Sequence, residues 1–323
     1  MNDFYNLKLS INKQLSSQRL DKVLVTSLNS YSRTQIKNLI LNGNVLKDNI
    51  EIKDPSYITK EYENYNINIF FVQKKDHKPE DINLNIVYED ESLIVINKPP
   101  NLVMHPAPGN ESGTLVNALM YYTKNKLSNL DDNSRPGIVH RLDKDTSGIL
   151  VIAKNNSTHI NLAEQFKDHS ISRRYKAIVW GSPDSQTIEG YIERNKKNRK
   201  KMSLNNKGYG RYSKTIIKLE KSYGIASIVD CELHTGRTHQ IRLHLTSKNC
   251  PIVGDKIYGR SKINQFGKDK KNINKFMILK NFERQALHAY HLGFEHPISK
   301  KRMNFDVELP EDFRNLIDLI VKY

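Results

Sequence analysis

A polar, doubly acidic segment lies between two short β-branched runs in the middle of the chain, and it constrains the fold more than any other stretch. The segment GIVHRLDKDTSG covers residues 137–148, and the apolar residues 149–153 follow it directly. This pattern predicts a strand, a tight loop and a second strand. The loop holds Asp143 and Asp145 beside cationic side chains. Carboxylates in such a setting stay ionised and can act as nucleophiles or bases.

The same loop also has features of a calcium site. Asp143, Asp145, Ser147 and Gly148 match the first half of an EF-hand loop. The twelfth position, however, is Lys154, where that loop requires a bidentate glutamate. A hydrophobic strand also occupies the place of the second half. We therefore favour a reactive loop over a calcium loop.

The charge balance of the chain indicates a polyanionic partner. The 323 residues carry a formal net charge of +16, which favours nucleic acid or an anionic membrane surface, although biased codon usage also enriches Lys and Asn. No apolar run is long enough to span a membrane, and the N-terminus lacks a secretion signal. The two cysteines give no disulfide framework. We expect a cytoplasmic protein with a nucleic-acid partner and no membrane partner.

Two short helices are predicted near the N-terminus. Ser17 is placed to cap the first helix, whose apolar residues recur at helical spacing. Ser32 opens the second helix, with Gln35 three residues further on as a capping box, and Gly43 is the expected stop. Strands are expected to follow from Val45 and over residues 66–72.

This region resembles the S4 RNA-binding domain. The resemblance rests on QRLDKVL at 18–24, YSRTQI at 31–36 and ILNGNVL at 40–46. In that family the second helix and its flanking loops lie on structured RNA. The resemblance therefore implies that Arg19, Arg33 and Lys37 contact RNA. An ordinary solvated helix face is the alternative for these charged residues.

The order of the predicted elements indicates the fold class. We predict an S4-like α/β module at 1–75, a polar linker at 76–81 and a larger domain at 82–323. In the larger domain strands outnumber helices without regular alternation, which favours an α+β fold with a mixed, mostly antiparallel sheet. A hairpin is expected at 86–96, further strands at 175–180, 215–219 and 226–233, and helices at 114–120 and 158–169.

Two basic stretches are candidates for phosphate contacts. Between Arg194 and Lys218 the chain has ten lysines or arginines, no acidic residue and two interleaved tyrosines. Such a run is usually a solvated loop, but one this one-sided can also grip phosphates and splayed bases. A second lysine-rich stretch at 262–280 is expected to be a loop, with RNA contact left open.

A second dense motif, HTGRTHQIRLH, covers residues 234–244. The histidines suggest zinc, yet His239 and His244 are five residues apart and no glutamate stands where a metalloprotease base is required. Neither cysteine has metal-ligand spacing. Arg237 and Arg242 are better candidates, because a guanidinium binds a carboxylate or a phosphate bidentately. Ordinary surface arginines are the alternative.

The usual signatures of cofactor-dependent enzymes do not occur in the sequence. It contains no phosphate-binding loop for nucleoside triphosphates, no glycine-rich dinucleotide motif and no nucleophile elbow. Cofactor-free chemistry on a nucleic acid is the class that remains.

Several motifs, in order, resemble the RluA family of pseudouridine synthases. They are HRLD at 140–143 with the following TSG, RYKA at 174–177 and GRTHQIR at 236–242. Shorter segments around Asn97, His105, Pro251 and Gln285 match as well. One departure is Asn101, where the family usually has glycine. Asparagine tolerates a left-handed backbone better than most residues.

The resemblance implies roles for individual residues. Asp143 is the implied nucleophile, attacking either the ribose C1′ or the uracil C6, and Arg242 is the arginine that pairs with it. Tyr175 is implied to stack on the base near the proton transfer at C5. Arg141 is implied to fill the stack left by the flipped nucleotide, and His140 and Arg237 to contact RNA.

The resemblance also implies the partners. The substrate is expected to be 23S ribosomal RNA or a precursor of the large ribosomal subunit, and the protein a monomer with no metal and no organic cofactor. A non-catalytic RNA-binding or ribosome-assembly protein on the same scaffold is the alternative. A charge-driven membrane-surface protein is a weaker one, because no clear basic amphipathic helix with bulky anchors is present.

Overall fold

The structure is a computed structural model, and it describes residues 4–28, 31, 33–70, 78–107, 109–129, 135–198, 201–259 and 270–322. The chain divides into two units, residues 1–76 and 77–323. The predicted linker at 76–81 falls partly outside the described residues. No helix in the described part of the chain is long and apolar enough to cross a membrane.

The first unit packs two helices against a four-stranded antiparallel sheet of order β1-β4-β2-β3. Its core contains Leu20, Leu24, Ile36, Ile40 and Ile67, all fully buried. Leu20 and Leu24 are four residues apart on one helix, and Ile36 and Ile40 are four apart on the other. This is the spacing of an apolar stripe with which a helix covers a sheet. Its elements are β1 (Phe4–Ser10), α1 (Leu20–Ser27), α2 (Arg33–Leu41), β2 (Val45–Lys47), β3 (Ile50–Glu51) and β4 (Asn64–Phe70).

The helix ends of this unit differ in part from the prediction. Arg19, not Ser17, is the N-cap of α1, and it provides no side-chain cap, while Ser17 has a φ of 58°. The predicted capping box lies outside the described residues. Gly43 ends α2 as expected, since its φ of 75° cannot continue the helix. Strand β1 was not anticipated, because its partner β4 is distant in the sequence.

The second unit is built on one ten-stranded sheet of order β10-β9-β11-β12-β8-β13-β7-β6-β5, with β14 paired to β13. Every strand pair is antiparallel except β13 with β7. The predicted α+β class with a mixed, mostly antiparallel sheet is therefore confirmed. The strands are β5 (Ile86–Glu89), β6 (Leu93–Lys98), β7 (Ser147–Ala153), β8 (Ser172–Trp180), β9 (Gln186–Arg194), β10 (Met202–Asn205), β11 (Arg211–Ser222), β12 (Ala226–Leu233), β13 (Leu287–Glu295) and β14 (Arg302–Asp306).

The described part of this unit has five helices, and the sheet separates two apolar cores. They are α3 (Leu115–Tyr122), α4 (Asn156–Lys167), α5 (Gln240–Ser247), α6 (Lys270–Lys280) and α7 (Glu311–Lys322). All seven residues of β7 are buried. Leu150 and Ile152 belong to one core, while Ile149, Val151 and Ala153 belong to the other. Alternate side chains of a strand point to opposite faces, so β7 is covered on both sides.

Strand β10 and the first part of β11 lie in the basic run from Arg194 to Lys218, which agrees with the strand expected at 215–219. Two sequence predictions need correction in this unit. The segment before the acidic loop is not a strand, because Ile138 forms only an isolated bridge to Ile152. In the stretch 262–280, residues 270–280 form helix α6, and the preceding residues lie outside the described part. Asn101 has a φ of 64°, the left-handed backbone that asparagine tolerates.

Candidate active site

The loop that carries Asp143 leads directly into β7, and two buried cations fix its backbone. Lys98, at the end of β6, donates to the carbonyl oxygen of Lys144 at 3.0 Å. Arg284 donates to the carbonyl oxygen of Asp145 at 3.3 Å. At the start of β7, Gly148 packs so closely on Ala289 of β13 that a Cβ there would overlap the Ala289 backbone. Asp143 is thus placed just before the start of an inner strand of the sheet, which pairs with β13 on one side and β6 on the other.

Lys98 is almost fully buried, with 1% of its surface exposed. Its ammonium group donates to three carbonyl oxygens, those of Pro99, Leu102 and Lys144, at 2.8–3.0 Å. An ammonium group has three donors, so all of them are used. Burial lowers the pKa of Lys98 to about 7, while the charges of Asp145 and Asp143 act in the opposite direction. Lys98 holds the acidic loop against the turn that follows β6.

Arg242, on α5, binds two carboxylates at once. Its Nη1 donates to Asp143 Oδ2 at 2.8 Å, while Nε and Nη2 form a bidentate pair with Asp255 at 2.7 and 2.9 Å. Burial disfavours the cation, but the two carboxylates outweigh it and raise the pKa of Arg242. The predicted ion pair between Arg242 and Asp143 is confirmed. The bidentate partner, however, is Asp255.

Asp255 is the fixed end of this arrangement. Its carboxylate is fully buried and also accepts the backbone N–H groups of Ile257 and Tyr258. Burial disfavours its charged form, but the bonds to Arg242 and to these amides outweigh it and lower the pKa of Asp255. Asp143 keeps 19% of its side-chain surface exposed. The buried carboxylate orients the arginine, and the arginine orients the carboxylate that faces the solvent.

His239 is a second neighbour of Asp143. Its Nε2 lies 3.8 Å from Asp143 Oδ2, and its Nδ1 lies 3.0 Å from the hydroxyl of Tyr258. That hydroxyl accepts the N–H of Met202 at 2.8 Å and lies 3.4 Å from the Met202 carbonyl oxygen, to which it can donate. Burial lowers the pKa of His239, against the opposing charge of Asp143, which favours the neutral ring. His239 has a φ of 59°, a strained backbone of the kind that clusters at functional sites.

One pocket of about 580 Å³ contains all the candidate site residues of the second unit. They are His140, Arg141, Asp143, Tyr175, Arg237 and Arg242. The pocket is cationic, since five arginines besides Arg242 line it and Asp143 is the only acidic residue among the described lining. Such a cationic pocket suits a polyanionic substrate, and Asp143 supplies the one carboxylate in the described lining.

The candidate residues differ in how they are held. Burial raises the pKa of Tyr175 to about 12, so its phenol is protonated at neutral pH. His140 Nε2 accepts the backbone N–H of Val151 at 3.1 Å, and burial lowers the pKa of His140 to about 3. Arg237 donates from Nε to the carbonyl oxygen of Tyr212 at 2.9 Å. Arg141 is exposed.

The three S4 candidates belong to the first unit. Arg19 donates twice to the buried Asp21, at 3.0 Å, and Arg33 lies 3.8 Å from the same carboxylate. Of the two side chains, 43% and 68% remain exposed. Lys37 is exposed on α2. Arg19 and Arg33 are therefore held near each other by one aspartate, and both side chains remain accessible to a partner.

Two residues that shape the site were missed in the sequence. Lys98 and Asp255 both lie in segments with family resemblance, but nothing in their local pattern assigns them a role. His239 was considered only as a metal ligand. Among the described residues, no group of three or more His, Cys, Asp or Glu side chains is arranged to hold a metal ion.

A carboxylate aimed by a buried arginine, in a cationic pocket on a large mixed sheet, is the arrangement expected of an enzyme that acts on nucleic acid. Residues 92–247 match the RNA pseudouridylate synthase family and residues 18–61 match the S4 domain. The chain is 42% identical to ribosomal large subunit pseudouridine synthase D of Zymomonas mobilis over 97% of each chain. It therefore belongs to the RNA pseudouridylate synthase family and is an isomerase.

Other relatives agree with this assignment. An uncharacterized RNA pseudouridine synthase of Bacillus subtilis is 36% identical over 98% of each chain. The solved structure of human RNA pseudouridylate synthase domain containing 4 has a TM-score of 0.55 and 23% identity, and the match covers 73% of this chain and 93% of the human chain. The structural match supports the fold, and the sequence matches support the family.

Proposed function

We propose that this protein converts specific uridines of 23S ribosomal RNA to pseudouridine. Relatives named ribosomal large subunit pseudouridine synthase D match nearly the whole chain, so we propose the specificity of that type, with the related type C enzyme as the alternative. The substrate is then naked 23S RNA or a precursor of the large subunit. Ribosomal RNA is made in the cytoplasm of bacteria, and we place the protein there.

Asp143 is the proposed nucleophile. The isomerisation breaks the bond between uracil N1 and ribose C1′ and forms a bond between C5 and C1′. N1 gains a proton and C5 loses one, so no oxidant, reductant or cofactor is consumed. Asp143 attacks either C1′ or C6. The observation that carries this proposal is the hydrogen bond of 2.8 Å from the buried Arg242, which aims the one carboxylate exposed to the pocket.

The remaining pocket residues are proposed to handle the flipped nucleotide. An atom inside a stacked helix cannot be reached, so the uridine must leave the stack. Tyr175, a neutral phenol beside Asp143, stacks on the base near C5. Arg141, exposed at the rim, fills the space that the base leaves. His140 and Arg237 contact the RNA, His140 through its ring since its Nε2 is engaged by the backbone.

The first unit is proposed to add affinity and site choice. Residues 1–75 act as the S4 module and residues 82–323 as the catalytic domain, with 76–81 between them. Arg19, Arg33 and Lys37 contact RNA phosphates, which position a protein without reading sequence. We propose that the protein works as a monomer.

Asp143→Asn tests the proposal against Asp145→Asn, a matched change two residues away in the same loop. Asn keeps the shape of the side chain but loses the nucleophilic charge. We expect the Asp143 variant to form no pseudouridine in 23S RNA while its RNA affinity stays near that of the parent. The Asp145 variant should remain active. Near-normal turnover by purified Asp143→Asn would exclude this nucleophile, and an unchanged pseudouridine map in cells lacking the protein would exclude 23S RNA.

A further inference from the structure

Arg173, on β8 two residues before Tyr175, is a buried cation with few contacts. Only 6% of its surface is exposed, and it lines the active-site pocket. Nη2 reaches the carbonyl oxygens of Leu233 and His234 at 3.5 Å, longer than the usual N–H···O distance of about 2.7–3.2 Å, so these contacts are weak. The guanidinium lies 5.4 Å from the ring centre of Phe166. Its buried Nε has no hydrogen-bond partner in the described part of the chain.

No carboxylate within the described residues compensates the charge of Arg173. The neighbouring β8 arginine shows the contrast: Arg174 points away from the pocket and donates to the buried Asp230 at 3.1 and 3.3 Å. Burying a cation without a partner is costly, so buried charges are normally paired. Arg173 is therefore the exception on its own strand, and the exception faces the pocket.

Two further arginines surround the same part of the pocket. Arg211 and Arg237 line it, and neither forms an ion pair with a carboxylate among the described residues. Burial lowers the pKa of Arg173 and Arg237, and the charge of a neighbouring arginine lowers each further. Gly236 lies directly over Arg173, where a Cβ would come within 2.6 Å of Nη1. The three guanidinium groups repel one another, and an anion between them would relieve that repulsion.

We propose that Arg173, with Arg237 and Arg211, forms a subsite for a phosphodiester group of the substrate RNA next to the reacting uridine. A guanidinium with free N–H groups binds two phosphate oxygens at once, and burial strengthens the contact. The subsite lies beside Tyr175 and Asp143, so it fixes the backbone of the nucleotide whose base has been flipped. This inference deepens the proposed function and rests on it.

The test compares Arg173→Met with Arg174→Met. Without its unpaired buried cation, the Arg173 variant should melt at the same temperature as the parent or higher. Its RNA affinity should fall about 10- to 100-fold, as for loss of charge-assisted hydrogen bonds. The slope of log affinity against log salt should become shallower by about 0.7–0.9, since one phosphate contact is lost. Arg174→Met should melt lower, because the buried Asp230 loses the two hydrogen bonds from Arg174 and keeps only those from Lys176 and Tyr290. It should keep the parent's salt slope.

A chemical arm locates the phosphate. RNA oligonucleotides carry a single uncharged methylphosphonate at successive positions around the modified uridine. One position should weaken binding to the parent but not to Arg173→Met. Arg173→Lys keeps the charge without the bidentate geometry. Its loss of affinity at that position should lie between the losses of the parent and of Arg173→Met. Its affinity and salt slope are measured as well, in case the Met variant does not fold.

Three results would overturn the subsite. The first is a lower melting temperature for Arg173→Met with an unchanged salt slope. The second is a methylphosphonate that weakens binding to Arg173→Met as much as to the parent at every position, so that the two affinity losses add fully. The third is parent-like binding by Arg173→Lys. All of these are binding or melting measurements and need no turnover. Failure of the proposed function would appear separately, as absence of pseudouridine with the parent protein.

Discussion

Arg242 joins the reacting carboxylate to the protein interior. It shares one guanidinium between the buried Asp255 and the partly exposed Asp143, with all three contacts at 2.7–2.9 Å. Two carboxylates around one cation leave a net negative charge, and Asp143 is the more exposed of the two carboxylates. The direction in which Asp143 points is thus decided by Asp255, a residue that touches neither the pocket nor, in our proposal, the substrate.

Asp255→Asn should reduce both turnover and stability. Breaking a buried ion pair costs roughly 3–5 kcal/mol, and Arg242 would no longer be held in its present direction. Asp230→Asn is the matched control, because Asp230 is also a buried acceptor of an arginine but lies outside the pocket. Chemical denaturation should show a loss for both variants, while single-turnover rates on RNA should fall only for Asp255→Asn. Equal rates for both variants would contradict the orienting role.

His288 should make the protein sensitive to acid. It is buried, with Nδ1 2.9 Å from Ser147 Oγ, and burial lowers its pKa to about 4. The unfolded chain binds a proton near pH 6.5 and the folded protein does not, so stability is complete above that pH and is lost as pH falls toward 4. His288→Leu removes this titration.

The free energies of unfolding of the parent and His288→Leu should therefore depend differently on pH. At pH 7.5 the parent should be the more stable by about 1 kcal/mol, the worth of its hydrogen bond. Below pH 6.5 this advantage should shrink by up to about 1.4 kcal/mol per pH unit and then reverse. Denaturant titrations at pH 7.5, 6.0 and 5.0 measure it. Parallel curves would show that folding does not lower the pKa of His288.

At the scale of elements, the strands β9, β10 and β11 are neighbours in the sheet, and β11 reaches the pocket through Arg211. Arg211 lies at the start of β11 and lines the pocket, and Tyr191 and Tyr212 pack edge to face at 5.9 Å. Lys196 and Lys197 lie in the connection from β9 to β10. Basic residues beside aromatic rings on a strand surface suit phosphates and unstacked bases.

Replacing Lys196 and Lys197 with Gln should weaken RNA binding and flatten its salt dependence. Each lost phosphate contact lowers the slope of log affinity against log salt by about 0.7–0.9. Turnover at saturating RNA should change little. Lys300→Gln with Lys301→Gln is the matched control, with the same charge change in the connection from β13 to β14. Identical slopes for the two double variants would place Lys196 and Lys197 away from the RNA.

At the scale of the whole molecule, the two units have separate cores. The core of the first contains residues between Ile11 and Ile69 only, and the cores of the second begin at Leu93. Each unit therefore buries its own apolar surface, as an independently folding domain does. The division of labour that we propose, phosphate contacts in one unit and chemistry in the other, fits this separation.

Deleting residues 1–76 should leave a folded protein with an intact active site. Its RNA affinity should be lower or its site choice broader, because the phosphate contacts of the S4 module are lost. Filter binding and pseudouridine mapping on 23S RNA measure the two effects. Arg33→Gln with Lys37→Gln in the full chain should reproduce part of the loss, whereas Lys8→Gln with Lys13→Gln should not. Unchanged affinity and site choice after the deletion would remove the module from recognition.

The sequence by itself determined the features that depend on neighbouring residues. Helix α2 ends where Gly43 allows a left-handed backbone, the hairpin of β5 and β6 follows from short β-branched runs, and the α+β class follows from the order of elements. The motifs at 140–143 and 236–242 were enough to predict that Arg242 pairs with Asp143, because motif order in the family requires the two segments to meet. Local pattern and resemblance supplied all of this.

Only the tertiary structure decided which distant groups complete the site. Asp255, not Asp143, is the bidentate partner of Arg242, Lys98 holds the acidic loop through three carbonyl oxygens, and Arg173 is buried without a carboxylate partner in the described chain. The segment before the loop forms one bridge instead of a strand. Burial, hydrogen-bond geometry and charge pairing depend on contacts between remote parts of the chain, and the sequence contains no local signal for them.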